Sequence, residues 1–215
     1  NPGRTWAVNA TGTLRVLEAA REAGARRVVY SASSSAYGNA ARIPLDESML
    51  PVPVSPYAAS KLAGESLMTA YAESYGLSTV SLRYFNIFGP RQPSGSPYAG
   101  VVPAFATALL EGARPRIHGD GTQTRDFTYV GNAVLANLLA GASDAPLTGQ
   151  PVNIGAGRQT SVNDLARLMI ETLGVENVEA EHGPPRTGDV VHSCADISRA
   201  RELLDYEPVT PFEEG

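Results

Sequence analysis

The amino-acid sequence predicts an α/β fold that is built on a doubly wound parallel sheet. An apolar strand (28–30), a helix (56–76) and a second strand (79–82) follow one another in the strand–helix–strand order typical of such a sheet. The first strand is apolar without alternation, which is expected of a strand covered on both faces. Hydrophobic residues make up 43% of the 215 residues, so the chain is able to form a packed core.

A helix is predicted before the first strand, because Ala10, Leu14, Leu17 and Ala20 recur at helical spacing. Gly24 follows them, and glycine is common just past the end of a helix. Residues 1–3 are predicted to be a loop. The chain does not begin with methionine, so we expect that residue 1 is not the natural start.

The helix between the two strands has clear boundaries in the sequence. It begins near Pro56, because proline is well placed in the first turn of a helix, and it ends at Gly76. The segment before it, residues 38–55, is rich in proline and is predicted to be a loop.

The sequence changes character after residue 90. Residues 90–100 are rich in Pro, Gly and Ser and are predicted to be a loop. Ser161 and Asp164 form a capping signal for a helix that ends at Gly174. The other elements expected here are helices at 102–111, 130–141 and 197–204, and short strands near 115–117, 126–129 and 151–154.

Composition restricts the class of function. The net charge of −5 argues against a nucleic-acid-binding surface, which requires an excess of basic residues. No apolar run is long enough to span a membrane, and no signal peptide is recognisable. The one cysteine, Cys194, excludes a disulfide within the chain and favours a reducing, cytoplasmic location. We interpret Cys194 as a partly buried apolar side chain.

Tyr57 and Lys61 form the sharpest chemical signal. Residues four apart lie on one face of a helix, so the phenol and the ammonium group are neighbours. A nearby cation favours the phenolate and lowers the pKa of a tyrosine, which is then able to shuttle protons near neutral pH. Ser33 supplies a hydroxyl group at the carboxyl end of the first strand, where ligands bind in such folds.

Further motifs surround these residues and occur in one order along nearly the whole chain. They are N-A-T-G-T (Asn9–Thr13), S-S-S-A-Y-G (Ser33–Gly38), S-P-Y-A-A-S-K (Ser55–Lys61), L-R-Y-F-N-I-F-G-P-R (Leu82–Arg91), G-D-G-T-Q-T-R-D-F (Gly119–Phe127), N-I-G (Asn153–Gly155) and R-T-G-D-V (Arg186–Val190). The series resembles the extended short-chain dehydrogenases/reductases of the NAD-dependent epimerase/dehydratase family, which act on nucleotide sugars. Several unrelated motifs rarely occur in the right order by chance.

The resemblance implies a Rossmann-type sheet with a smaller α/β lobe. Residues 1–90 are expected to form the remaining part of the NAD-binding domain, with the catalytic residues. Residues 91–215 are expected to form mainly the nucleotide-sugar-binding lobe, with some segments that return to the sheet.

Roles for individual residues also follow from the resemblance. It implies that Tyr57 is the acid/base, that Lys61 lowers its pKa and holds the nicotinamide ribose, and that Ser33 hydrogen-bonds the reacting sugar hydroxyl. The residues implied to contact NAD are Asn9, Ser33, Tyr57, Lys61 and Phe85. Those implied to bind the substrate are Ser34, Ser35, Asn86, Arg125, Arg186, Asp189 and Ser193. The arginines in this set are implied to bind the diphosphate, because a guanidinium group suits phosphate oxygens. No metal site is expected.

The implied reaction is NAD-dependent epimerisation at C4 of a UDP-hexose. Tyr57 takes the proton of a sugar hydroxyl while hydride moves to NAD, the keto sugar turns over, and hydride returns to its other face. Relatives that eliminate water carry T-D-E where this chain has Ser33–Ser35, so dehydration is disfavoured. In the resembled epimerases the position of Ser193 borders the 2-substituent of the sugar, and a serine there leaves space for an N-acetyl group.

Two alternatives stay open at this point. One is a nucleotide-sugar decarboxylase or reductase of the same superfamily, and the other is a non-catalytic sugar-nucleotide-binding fragment. The presence of Ser33, Tyr57 and Lys61 argues against the second alternative. The resembled proteins usually dimerise through two long helices (about 7–24 and 56–76 here), so we expect a homodimer for the full-length protein.

The glycine-rich G-x-x-G-x-x-G turn that binds a pyrophosphate does not occur in the sequence. We therefore expect that the N-terminal nucleotide-binding half of the fold, roughly 90 residues, is absent from this chain. Whether the chain alone binds NAD or is active stays open.

Overall fold

The computed structural model describes residues 1–93, 100–175, 177–186 and 191–215. The predicted helices near 56–76, 102–111, 130–141, 161–174 and 197–204 are confirmed. In chain order, the helices and strands are α1 (Pro2–Trp6), α2 (Gly12–Glu22), β1 (Arg27–Ser33), α3 (Pro56–Tyr75), β2 (Ser78–Tyr84), β3 (Ile87–Phe88), α4 (Val101–Leu110), β4 (Arg116–His118), β5 (Thr124–Arg125), β6 (Thr128–Tyr129), α5 (Val130–Ala142), β7 (Thr148–Ile154), β8 (Thr160–Ser161), α6 (Val162–Thr172), β9 (Glu181–Gly183) and α7 (Ser198–Leu204).

The main sheet is parallel and has the strand order β1-β2-β7. Side chains of β2 alternate between its two faces. Val80 and Leu82 belong to an apolar cluster that includes residues of α5 and α7. Thr79 and Arg83 face the other way and hydrogen-bond residues of α3. Helices therefore cover both faces of the sheet, as predicted for a doubly wound fold.

β1 differs from its prediction in one respect. Val28, Val29 and Tyr30 are half-buried, whereas β2 is buried along most of its length. Among the described strands, β1 pairs with β2 alone, so its other edge lacks a neighbour that would complete its burial.

The first helix begins earlier than predicted. Pro2 opens α1, and the side chain of Asn1 accepts a hydrogen bond from the Arg4 N–H (3.1 Å). The loop predicted for residues 1–3 is therefore wrong: asparagine at the N-cap and proline in the first turn both favour a helix start. Residues 7–11, between α1 and α2, form a single π-helical turn. Such turns are frequent at functional sites.

A second apolar cluster lies in the part of the chain beyond residue 86. It includes Phe88, Phe105, Ile117, Phe127 and Leu165. β3 pairs with β6, β4 with β9, and β5 with β8, so this region consists of short two-stranded pairs with α4 and α6 packed beside them.

Asp126 connects this second region to the main sheet. Its carboxylate accepts hydrogen bonds from the backbone N–H groups of Ala156 (2.8 Å), Gly157 (3.0 Å) and Ala195 (3.0 Å). Burial raises the pKa of Asp126 to about 6. The connection fixes the segment after β7 and the segment around Ser193 to the same residue.

Candidate active site

Tyr57 lies in the first turn of α3, where the local sequence determines the helix start. Ser55 caps the helix, and its Oγ accepts a hydrogen bond from the Ala58 N–H at 3.1 Å. Pro56 then occupies the first turn. Lys61 follows Tyr57 by one turn, so both side chains reach the same cavity.

This cavity, which we call the central cavity, has a volume of about 670 Å³ and lies at the carboxyl ends of β1 and β2. Ligands bind at these ends in parallel α/β sheets. The structure brings together the predicted catalytic residues and most of the predicted substrate-binding residues. Those that line the cavity are Ser33, Ser34, Ser35, Tyr57, Lys61, Asn86, Arg125 and Ser193.

The Lys61 ammonium group is held in a fixed position. Its Nζ donates a hydrogen bond to the Ser31 carbonyl oxygen (2.9 Å) and lies 5.3 Å from the centre of the Tyr30 ring. Burial lowers the pKa of Lys61. The end of β1 thus positions the cation that follows Tyr57 on α3.

Ser33 ends β1 and begins the 3₁₀ turn that follows it. Its Oγ accepts hydrogen bonds from the backbone N–H (3.2 Å) and the hydroxyl group (2.9 Å) of Ser35. The hydroxyl oxygen of Ser33 is therefore oriented by its own turn at the wall of the central cavity.

A second cavity, of about 400 Å³, is also lined by Tyr57. It is lined by Asn1, Arg4, Thr5, Val8, Asn9 and Tyr57. The Asn9 amide donates a hydrogen bond to Ser60 Oγ (3.0 Å), and Ser60 Oγ donates to the Tyr57 carbonyl oxygen (2.7 Å). Asn9 thus contacts the turn of α3 that carries Tyr57.

Phe85 is placed differently from the other predicted NAD-contacting residues. Its side chain is fully buried in the core beside β2, with its ring centre 6.2 Å from that of Tyr37. It lines neither cavity around Tyr57, so its predicted contact with NAD stays a prediction.

The predicted anion-binding residues continue into a third cavity. This cavity has a volume of about 370 Å³ and shares Asn86, Ile87 and Arg125 with the central cavity. Arg186, which is far from Arg125 in the sequence, also lines this third cavity. The two cavities therefore form one cleft, with Tyr57 at the end formed by the central cavity and Arg116 and Arg186 at the other end.

Ser193 is 7% exposed and lines the central cavity, and its N–H donates a hydrogen bond to the Thr124 carbonyl oxygen (3.1 Å). The predicted substrate contact Asp189 lies outside the described residues, so its role stays a prediction.

The structure adds lining residues that the sequence analysis missed. Arg116 and His118 in β4, together with Gln123, line the third cavity. Ile117 between them is buried in the second apolar cluster. Successive side chains of a strand point to opposite faces, so Arg116 and His118 of β4 share one face. This alternation, directly before the G-D-G-T motif, could have indicated from the sequence that both residues line the same cavity.

The cleft has a charge opposite to that of the whole chain. Among the described residues that line its two cavities, the charged side chains are Lys61, Arg116, Arg125 and Arg186, and none is acidic. The net charge of the chain is −5. A cleft of this kind favours anionic ligands and concentrates them.

The described residues contain no group of three or more His, Cys, Asp or Glu side chains arranged to hold a metal ion. Within the same residues, none of the helices has the length and apolar character needed to cross a membrane.

Comparison with known proteins agrees with this geometry. The NAD dependent epimerase/dehydratase family matches residues 1–155. The chain is 42% identical over 210 residues to the UDP-glucose 4-epimerase of Mycolicibacterium smegmatis, with 97% of this chain and 66% of that protein covered.

Two solved structures are also similar. The UDP-N-acetylglucosamine 4-epimerase of Methanobrevibacter ruminantium, in complex with UDP-N-acetylmuramic acid, superposes with a TM-score of 0.94 at 39% identity, over 100% of this chain and 68% of that one. The UDP-glucose 4-epimerase of Thermotoga maritima, with UDP-glucose, gives a TM-score of 0.93 at 38% identity, over 100% and 69%. The chain thus spans about two thirds of the length of these relatives.

Proposed function

The chain belongs to the NAD dependent epimerase/dehydratase family, and we propose that it contributes the active site for NAD-dependent epimerisation at C4 of a UDP-hexose. The observation that carries the proposal is the shared cleft, which has Tyr57, Lys61 and Ser33 at one end and Arg116, Arg125 and Arg186 towards the other. A sugar at the first end and a diphosphate near the arginines match this distribution of chemistry.

The residues around the second cavity fit NAD as the cofactor. Arg4 and Asn9 supply a guanidinium and an amide group in the second cavity, which Tyr57 also lines. Such donors suit the phosphate and amide groups of a dinucleotide. NAD held there would supply a reversible hydride acceptor for the sugar carbon.

Tyr57 carries the proton traffic in this proposal. Its phenolate oxygen takes the proton of the C4 hydroxyl group as that carbon loses its hydride, and a 4-keto sugar results. After the keto sugar has turned over, Tyr57 returns the proton to the oxygen and the configuration at C4 is inverted. Lys61, which is held by the Ser31 carbonyl, stabilises the phenolate electrostatically.

N-acetylated hexoses are included in the proposal because of Ser193. A small side chain at this buried position leaves room in the central cavity, which has a volume of about 670 Å³. A similar solved structure is an epimerase of UDP-N-acetylglucosamine, which is in keeping with that substrate class.

We also propose a homodimer and a cytoplasmic location. Val8, Val16 and Tyr75 are more than half exposed on the helices that the resemblance assigns to the dimer contact. Sedimentation of the purified protein tests the homodimer, since a protein that stays monomeric at all concentrations would contradict it.

The reaction class is tested by product analysis with the protein expressed from the complete gene. We expect NMR to show the 4-epimers of UDP-glucose and UDP-N-acetylglucosamine. Release of carbon dioxide from a UDP-uronic acid, without epimers of either hexose, would instead identify a decarboxylase. Net consumption of NADH with a keto substrate would identify a reductase, and binding of UDP-sugars without any turnover would identify a binding protein.

A further inference from the structure

An acidic residue follows the two catalytic candidates on the same face of α3. Tyr57, Lys61 and Glu65 are spaced four residues apart, so each lies one turn beyond the last. Glu65 is 5% exposed, which is unusual for a carboxylate without a strong partner. A Lys and a Glu at this spacing ordinarily form an ion pair with each other.

Arg83 of β2 takes both oxygens of this carboxylate instead. Its Nε lies 3.0 and 3.2 Å from the two Glu65 oxygens, and a second nitrogen lies 2.7 Å from one of them. Arg83 is 2% exposed, and its guanidinium group is 4.7 Å from the centre of the Tyr37 ring. The forked, bidentate geometry leaves both Glu65 oxygens occupied.

The Lys61 ammonium group is consequently left without a carboxylate partner among the described residues. Its contacts are the Ser31 carbonyl and the Tyr30 ring, and none of the ion pairs among the described residues includes it. Lys61 is also the only lysine of the chain, although Lys and Arg together number 17. A cation that is not neutralised acts on a neighbouring phenol more strongly than one bound to a carboxylate.

We propose that Arg83 is a positioning residue, which binds Glu65 and so keeps that carboxylate from pairing with Lys61 beside Tyr57. The inference rests on the proposed function in assigning the acid/base role to Tyr57. It adds that the charge available at Lys61 depends on the buried ion pair between Glu65 of α3 and Arg83 of β2.

Among the described residues, no carboxylate lines the cavities around Tyr57. The charged or titratable groups on the cavity walls, on β1 and in the turn after it are Tyr30, Tyr37, Tyr84, Arg4, Arg27, Arg125 and the amino group of Asn1. Helix α2 also packs against α3 and carries Arg15, Glu18, Arg21 and Glu22, of which Glu18 acts on Tyr71, farther along α3. Glu47 acts on Tyr37, but it accepts a hydrogen bond from the Asn153 N–H (2.7 Å) on β7. Glu65 is therefore the carboxylate that Arg83 must hold.

The test compares Arg83→Met with the double variant Glu65→Gln/Arg83→Met. In the single variant we expect Glu65 to pair with Lys61 and to raise the pKa of Lys61. The acid limb of the pH–rate profile then moves to higher pH, because phenolate forms less readily, and the rate at neutral pH falls by about tenfold. In the double variant no competing carboxylate remains, so both the pKa of Lys61 and the pH profile return towards wild type.

Lysine labelled with ¹³C reports the ionisation of Lys61 by NMR, and loss of the signal in Lys61→Arg assigns it. This readout does not require turnover. If wild type forms no epimer at any pH but the Lys61 signal still responds to Arg83→Met, the proposed function fails and the positioning role stands.

An unchanged Lys61 signal and an unchanged acid limb in folded Arg83→Met would overturn the proposal. A loss of activity that is equal at every pH, and that the double variant does not restore, would show a structural role only. If Arg83→Met does not fold, Arg83→Gln keeps a hydrogen-bond donor to Glu65 without the charge. We expect the same rise of the Lys61 pKa in Arg83→Gln, and the absence of that rise would equally overturn the inference.

Discussion

Small side chains and a few hydrogen bonds shape the candidate site at the scale of residues. Ser33 is oriented by its own turn, Lys61 by a carbonyl oxygen of β1, and Asn9 by Ser60. The sequence predicted that Tyr57 and Lys61 lie on one face of a helix, because the spacing of four is a local property, and both side chains line the central cavity. It did not predict the pairing of Glu65 with Arg83, because that contact depends on how α3 packs on β2.

Ser193→Tyr tests the predicted substrate class at this scale. A tyrosine fills space in the central cavity beside the 2-substituent, so we expect conversion of UDP-N-acetylglucosamine to fall by at least about tenfold, with UDP-glucose largely spared. Rates with the two substrates, measured under identical conditions, provide the comparison. Ser193→Ala is the control, since it keeps the space and should keep both activities. Equal losses on both substrates in Ser193→Tyr would contradict the assignment.

At the scale of elements, residues that favour the start or the end of a helix predicted the helices well. Pro56 begins α3 and Ser161 caps α6, as their positions indicated. The sequence did not indicate which short strands of the second region pair, because β4 and β9 are joined only by contacts between distant residues. The buried polar residues Thr79 and Arg83 also did not follow from hydrophobic patterning, since their partners lie on another element.

The close approach of α3 to β7 provides a stability test. Gly149 has a φ of +89°, and a Cβ added there would lie 2.3 Å from the Thr69 Cα atom. We expect Gly149→Ala to lower the free energy of unfolding by at least about 1 kcal/mol, because both the backbone angle and the contact oppose it.

Gly141→Ala in α5 is the matched control. A Cβ at Gly141 meets no atom within 4 Å, so alanine should raise the free energy of unfolding by up to about 1 kcal/mol. Urea unfolding of both variants gives the comparison. A Gly149→Ala variant as stable as wild type would contradict the described packing of α3 on β7.

The whole molecule combines a net negative charge with a basic cleft. Sequence motifs indicated Arg125 and Arg186, but the continuity of the two cavities through Asn86 and Arg125 is a property of the folded chain. Association of an anionic substrate with such a cleft is expected to weaken as salt concentration rises.

Arg116→Gln and Arg186→Gln test this arrangement. We expect each to raise KM for the UDP-sugar by about tenfold with little change in kcat, because diphosphate contacts are made equally in the ground state and the transition state. Arg114→Gln is the control, since Arg114 donates a hydrogen bond to the Glu179 carbonyl oxygen and lines neither cavity of the cleft. Lower kcat with unchanged KM would place these arginines in another role.

The central claim is that proton transfer in this cleft depends on Tyr57, and the rate of 4-epimer formation by Tyr57→Phe tests it most directly. We expect kcat to fall by at least about a hundredfold, since phenylalanine keeps the ring and removes the proton shuttle. Tyr75→Phe, at the exposed end of the same helix, should retain the wild-type rate. A Tyr57→Phe enzyme that forms the 4-epimer as fast as wild type would contradict the account.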